Sequence, residues 1–196
     1  VRYFDTCYEE ALIEYEDIPN WNTSKILDMS GLFKNYKTFN QDITGWDVSG
    51  VINMESMFEG AESFNQEIGT WELLSVTNIK SMFKGATIFD NPINNWQINE
   101  NRITSLEELF YGASRFNQRL DGWNVSGVTN MNSIFRGASS FNTSVNTWYI
   151  KGLTELKYVF AGASSFNQPL DNWDVSSITN MDFVFQDATS FNQDIS

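Results

Sequence analysis

The side chains with the most chemical potential in this sequence are its carboxylates. The chain carries 25 Asp and Glu residues, no His and a single Cys, Cys7. Without His, neither a Ser-His-Asp nor a Cys-His nucleophile can be assembled, and one Cys excludes a zinc finger and an intrachain disulfide. Two carboxylates can still perform general acid–base catalysis, but the acid pairs that stand out, Glu9–Glu10 and Glu107–Glu108, are expected to be solvated. We therefore predict no catalytic residue, no cofactor and no enzymatic activity.

A calcium site would require carboxylates that converge on one point. Asp42, Glu67 and Asp194 occupy the same position of a sequence repeat that is described below. The other repeats place different residues at that position, namely Pro92, Arg119, Ser144 and Pro169. Because the acids do not recur from repeat to repeat, this column does not predict a metal site.

The charge balance argues against two classes of partner. The net charge is −13, with only 12 basic residues. Beyond Lys157 the sequence has five aspartates and no Lys or Arg. A nucleic-acid or anionic membrane surface needs clustered basic side chains, so neither is an expected partner. No apolar run reaches the length of a transmembrane helix, and we expect no membrane insertion in this segment.

The aromatic residues reveal a repeat that must position every other side chain. The seven tryptophans lie 25, 25, 25, 27, 25 and 25 residues apart. They are Trp21, Trp46, Trp71, Trp96, Trp123, Trp148 and Trp173. Phenylalanine recurs 12 and 18 residues after Trp, displaced by two extra residues in the fourth unit, so that 14 of the 16 Phe residues fall into two columns. This regularity predicts a stacked array of seven units.

Each unit divides into two predicted elements. Apolar residues at positions 8, 11, 12 and 15 after Trp follow the spacing of one helical face. Thr-Asn pairs precede this segment and Gly60 and its equivalents follow it, as at helix starts and ends. The remainder is short enough for one strand. Strands stack more closely than helices, so a unit with one of each must curve. We therefore predict a right-handed, curved α/β solenoid that resembles a leucine-rich-repeat array. Residues 1–20 are expected to form an N-terminal cap and residues 21–196 the array. The last unit has no cap, so we expect a truncated chain, a continuing chain or a neighbour that covers it.

Two columns are interpreted as structural and not as binding strips. An amide or carboxylate follows the second Phe of every unit, which predicts a ladder that satisfies backbone groups at the turn. Its members are Asn40, Asn65, Asp90, Asn117, Asn142, Asn167 and Asn192. The Trp column is interpreted as a buried spine, with a platform for carbohydrate stacking as the alternative.

The repeat also carries a family resemblance. Asp174-Val175-Ser176, Thr179-Asn180-Met181 and Phe191-Asn192-Gln193 match the repeat of the BspA-like leucine-rich-repeat surface proteins. The resemblance spans residues 21–196, with departures at Tyr36, at Leu73-Leu74 and at the two-residue insertion within residues 97–102. It implies display at the cell surface or secretion, adhesion, recognition of a protein or glycan, and no catalytic residues.

Departures from the repeat are the best candidates for a binding site. The insertion around Asn99, Glu100, Asn101 and Arg102 predicts a longer turn, which marks either a binding face or a neutral change of loop length. Ten residues after Trp, where a helix would face solvent, the last two units carry Tyr158 and Phe183. These two aromatics predict either a partner contact or partial burial within the helix layer.

Three Asn-x-Ser/Thr sequons are consistent with an extracellular location. Asn142 belongs to the ladder, so only Asn22 and Asn124 are expected to carry glycan. The leading hypothesis is a surface-displayed or secreted recognition module. The alternatives are a structural subunit, bound in a larger assembly through the C-terminal end, and ice binding by a regular face. The Thr column that would bind ice is better explained by helix capping.

Overall fold

A computed structural model describes residues 18–98 and 102–195. Most of the predicted N-terminal cap, residues 1–17, lies outside the described residues. Within them, the regular elements are two 3-10 segments, Ile18–Asn20 and Ile68–Thr70. Four isolated parallel bridges join Asp28 to Asn53, Asn53 to Asn78, Ser105 to Asn130 and Glu155 to Asn180. The predicted α/β solenoid of strand–helix units is therefore wrong: the described units contain neither an α-helix nor a multi-residue strand.

Consecutive tight turns replace the predicted helix. In the second unit the amides of Met57, Glu59 and Ala61 each donate to the carbonyl three residues earlier, at 3.2, 3.1 and 3.0 Å. Ser56 and Gly60 have φ values of +55° and +70°. An α-helix requires negative φ at every residue, so two left-handed residues in this short segment prevent one from forming. The predicted left-handed Gly is present, but it lies within a run of turns and does not end a helix.

The backbone amides between these donors do not bond within their own unit. They donate to carbonyls of the next unit. Met54, Ser56, Phe58 and Gly60 donate to the carbonyls of Asn78, Lys80, Met82 and Lys84, at 2.8, 2.9, 2.9 and 2.7 Å. The same set recurs from Leu106, Glu108, Phe110 and Gly112 to the following unit. We call the units coils 1 to 7, each beginning at its Trp. Each coil stacks on the next through this row of parallel hydrogen bonds.

Aromatic side chains fill the interior of the stack. Within a coil the two Phe rings stack at 3.6–4.1 Å between centroids, and each column continues between coils at 5.7–6.1 Å. Trp46 and the later tryptophans are buried. Their indole Nε1 groups donate to the backbone carbonyl that lies three residues before the Trp of the preceding coil, as from Trp148 to Leu120 at 3.0 Å. This apolar interior holds the coils in register.

The threonine column has a different role from the one predicted. Thr77, Thr129 and Thr179 donate their hydroxyls to the carbonyls of Ile52, Thr104 and Thr154, at 3.2, 3.3 and 3.2 Å. They join neighbouring coils and cap no helix, because no α-helix follows them. Among the described residues no helix has the length and apolar character needed to cross a membrane.

Candidate functional site: an aromatic and cationic row

The run of tight turns forms one edge of the stack, which we call the turn edge. Its outward positions lie 9, 10 and 13 residues after Trp, and we number them as positions 9, 10 and 13. In coil 4 the insertion moves each of these residues two places further along the chain, and the position numbers are kept. Position 10 has positive φ in all seven coils, including Tyr158 at +57° and Phe183 at +58°. A β-carbon is disfavoured in this conformation. The inter-coil hydrogen bonds and the packed core therefore hold these large side chains in place against a local preference.

Side chains of five successive coils meet on the turn edge. The Lys84 ammonium lies 5.0 Å from the centre of the Tyr111 ring. The Arg136 guanidinium lies 5.3 Å from Tyr111 and 4.5 Å from Tyr158. Tyr158 and Phe183 stack at 4.9 Å with 13° between their planes. We call these five residues the aromatic row. Each cation–ring contact contributes about 0.5–1 kcal/mol at an exposed site, so the row is ordered by its own contacts.

Ion pairs lie beside the aromatic row. Lys34 pairs with Glu59 at 2.9 Å, Lys80 with Glu107 at 2.8 Å and Lys84 with Glu108 at 2.7 Å. Glu107 and Glu108 are thus half-buried and paired, and not freely solvated as the sequence suggested. Each pair joins two coils, so all three lysines on the turn edge of coils 1 to 4 are neutralised by glutamates.

The pKa of Glu108 shows how tightly this edge is paired. Burial alone would raise it, but hydrogen bonds from Lys84 Nζ and, at 3.1 Å, from Ser81 Oγ outweigh burial and lower the pKa from 4.5. The hydrogen bond to Glu107 raises the pKa of Lys80. A carboxylate with a lowered pKa is a poor proton donor near neutral pH, so the Glu108 carboxylate serves pairing.

The other predicted residues that the structure describes take no part in the contacts of this row. Asn99, Glu100 and Asn101 lie outside the described residues, and Arg102 is exposed. Asp42 accepts hydrogen bonds from the Thr44 amide and hydroxyl. In the described ranges no three His, Cys, Asp or Glu side chains are grouped so that they could hold a metal ion.

The amide column forms a row of hydrogen bonds on the surface. The Oδ1 atom of each of the first six members accepts the backbone amide of the equivalent residue in the next coil, as from Asn65 to Asn40 at 2.8 Å. The contact recurs through Asp90, Asn117, Asn142, Asn167 and Asn192. These side chains therefore extend the stacking interaction outside the core.

The sequons differ in how their asparagine is used. Asn22 and Asn124 are exposed, and their Oδ1 atoms accept the hydroxyls of Ser24 and Ser126, both at 2.7 Å. Asn142 Oδ1 accepts the Asn167 amide at 2.8 Å and the Gln168 side chain at 3.1 Å. Glycan on Asn142 would disrupt contacts between coils, whereas Asn22 and Asn124 project only into local turns.

The Leu73-Leu74 departure borders a second surface feature. Leu73 is buried, whereas Leu74 is half exposed and lines an open groove of about 630 Å³ that residues of coils 2, 3 and 4 form. Glu67, Glu72 and Gln97 also line it. Both glutamates are exposed.

Sequence reasoning missed Lys84, Tyr111 and Arg136 as members of the row. They occupy position 13. If each unit contained the predicted helix, position 13 would not lie beside position 10 of the next unit. Stacked turns bring Arg136 of coil 5 beside Tyr158 of coil 6. The available signal was the clustering of Tyr and Arg at positions 10 and 13 in neighbouring units.

Comparison with known proteins supports the repeat and leaves the activity open. Residues 2–121 and 104–196 each match the family described as Mycoplasma protein of unknown function, DUF285. No curated protein matches the chain. The matched family is a repeat family related to the BspA-like surface repeat proteins, so the resemblance seen in the sequence is right at that level, while membership of a particular BspA-like family is not shown. The chain belongs to the DUF285 family.

Proposed function

We propose that this protein is a non-enzymatic recognition module, secreted or displayed at the cell surface, that binds a protein partner along its turn edge. The observation that carries this proposal is the aromatic row. Phe183 is 54% exposed at one end of it, and Arg136 and two tyrosines form its middle. Tyr and Arg are enriched among the residues that dominate protein–protein binding.

The packing of the row favours a protein over a glycan. Sugar rings stack on a free aromatic face, yet Tyr158 lies between Phe183 and Arg136. Trp46 and the later tryptophans, which would form a carbohydrate platform, are buried. A protein surface can instead contact the ring edges, the Phe183 side chain and the outer donors of Arg136.

The electrostatics of the turn edge also suit a protein partner. Lys34, Lys80 and Lys84 are already paired with glutamates. Binding along this edge therefore buries charges whose partners are in place, which lowers the desolvation cost. The relation to surface repeat proteins supports the proposed location, although a shared fold by itself carries no function.

Probing one protein array and one glycan array with three forms of the chain tests the proposal. The forms are the native chain, the double variant Tyr158→Ser/Phe183→Ser, and Tyr149→Ser, which removes an aromatic that is 57% exposed outside the row. We expect the native chain and Tyr149→Ser to bind the same protein spots, and the double variant to lose at least about tenfold in affinity, since hot-spot residues contribute 2 kcal/mol or more. Binding to glycans alone, or equal losses in the double variant and Tyr149→Ser, would contradict the proposal.

A further inference from the structure

The outer face of coil 7 exposes a complete set of hydrogen-bonding groups. In coil 6 the amides of Leu156, Tyr158, Phe160 and Gly162 donate to the carbonyls of the next coil, at 2.9, 2.9, 2.9 and 2.6 Å. The equivalent amides of coil 7 belong to Met181, Phe183, Phe185 and Asp187. Within residues 18–98 and 102–195 none of these four donates to a backbone carbonyl. A polypeptide edge that offers carbonyls in the same register would satisfy them.

The same face exposes apolar side chains that are buried in every inner coil. Met181 is 47% exposed and Val175 is 43% exposed, whereas Leu156 and Ile150, their equivalents in coil 6, are 0% and 2% exposed. A cavity of about 360 Å³ opens between them, lined by Leu170, Trp173 and Phe185 among others. Exposed apolar surface bordered by polar groups is typical of an interaction site.

Inner coils show which side chain occupies the equivalent space. Trp173 is buried against coil 6, and its Nε1 donates to the Val145 carbonyl at 3.0 Å. The Val145 carbonyl also accepts the Trp148 amide at 3.0 Å. The equivalent carbonyl one coil further on, that of Leu170, accepts the Trp173 amide at 3.0 Å, and no indole donates to it among the described residues. An indole placed as in the inner coils would fill the cavity and reach this carbonyl.

We infer that the outer face of coil 7 is a docking surface for one further coil of the same repeat, whose Trp enters this cavity. The occupant is identified by continuity with the coil–coil interface, which it would extend in both hydrogen bonding and apolar contact. A second copy of this chain is a poorer fit, because Met29, Phe33 and Phe39 of its first described coil are already buried. A purely apolar partner would bury the four amides without acceptors, which carries a desolvation penalty for each of them.

Extending the chain by one of its own coils tests the inference. A copy of residues 147–172 is joined after Ser196, so that the new Trp follows Trp173 by 25 residues, as between inner coils. A control extension of equal length replaces its Trp and two Phe residues with Ser. We expect amide hydrogen exchange at Met181, Phe183 and Phe185 to slow by at least about tenfold with the native extension and to stay unchanged with the control, because exchange reports local opening.

Equal exchange rates in the two extended chains would overturn the inference. Light scattering on the unextended chain supplies a second readout. Self-association that the native extension abolishes would identify a second copy as the occupant, and would likewise overturn it. These readouts involve no partner of the aromatic row, so their failure is distinguishable from a failure of the proposed function.

Discussion

Coils 5 and 7 show how one sequence unit behaves with and without a neighbour on both sides. Their segments WNVSGVTNMNSIF and WDVSSITNMDFVF are identical at seven of 13 positions, among them the Trp, the first Val and the Met. Met131 and Val125 of coil 5 are buried, whereas the equivalent Met181 and Val175 of coil 7 are exposed. Burial of an apolar residue here depends on the coil that follows it, and only indirectly on the residues beside it in the sequence. Stability therefore resides in the contacts between coils, as expected for a repeat array.

The largest effect that tests this comparison is expected from the matched methionines. Met131→Ala removes a buried side chain between coils 4 and 6, and should lower the free energy of unfolding by about 2–5 kcal/mol. Met181→Ala removes a half-exposed one, and should cost no more than about 0.5–1 kcal/mol. Urea denaturation of both variants measures the difference. Similar losses would mean that position 8 is equally important in inner and outer coils, and the comparison would fail.

An intermediate effect is expected at position 14. Gly137 has φ of +71°, and a β-carbon there would lie 3.6 Å from Gly112 Cα. Coil 7 places Asp187 at the equivalent position with φ of +57°. Asp187→Gly should therefore stabilise the chain by roughly 1 kcal/mol, since it relieves left-handed strain. Gly137→Ala should destabilise it by roughly 1–2 kcal/mol for the same reason. Thermal denaturation checks both signs, and a destabilised Asp187→Gly variant would contradict the assignment of strain.

The smallest change in the free energy of unfolding is expected when an ion pair on the turn edge of the inner coils is removed. Glu108→Gln should lower the free energy of unfolding by about 0.5–1 kcal/mol at pH 7. Because the folded-state pKa of Glu108 is lowered from 4.5, its stabilising contribution is complete above that value and disappears as pH falls through the folded pKa. The native and variant chains should thus converge in acid.

Asp182→Asn in coil 7 is the matched control for that measurement, because the Asp182 carboxylate makes no ion pair with the described residues. Denaturation between pH 7 and pH 3 should show no comparable loss for this variant. A Glu108→Gln loss that persists unchanged in acid would show that the pair with Lys84 is not its cause.

The sequence could predict the repeat but not the conformation of its unit. The spacing of Trp and Phe indicates which residues stack, and the aromatic core is built from these columns. The helix prediction failed because consecutive tight turns place apolar residues at the same intervals as one helical face. Gly31, Ser56 and Ser81 at position 10 were a signal against a helix, since glycine there suits positive φ. In coils 6 and 7 the same position holds Tyr158 and Phe183, which do not indicate positive φ.

The candidate site was only half predictable for the same reason. Tyr158 and Phe183 stood out as departures from their column, whereas Lys84, Tyr111 and Arg136 belong to a different column. Columns 10 and 13 meet only once the coils stack as turns. The periodicity that identifies a column contains no information on the distance between two columns on neighbouring coils.

By itself the sequence determined that the chain is a seven-unit repeat with an aromatic interior, an acidic surface and no His-dependent chemistry. Those properties follow from composition and period, which are the same in any conformation. Only the tertiary structure decided that the turn amides alternate between their own coil and the next, and that five side chains form one row. Hydrogen bonds between residues 24 to 28 positions apart are formed by stacking. Their geometry depends on the backbone path of two coils at once, which no single unit of the sequence specifies.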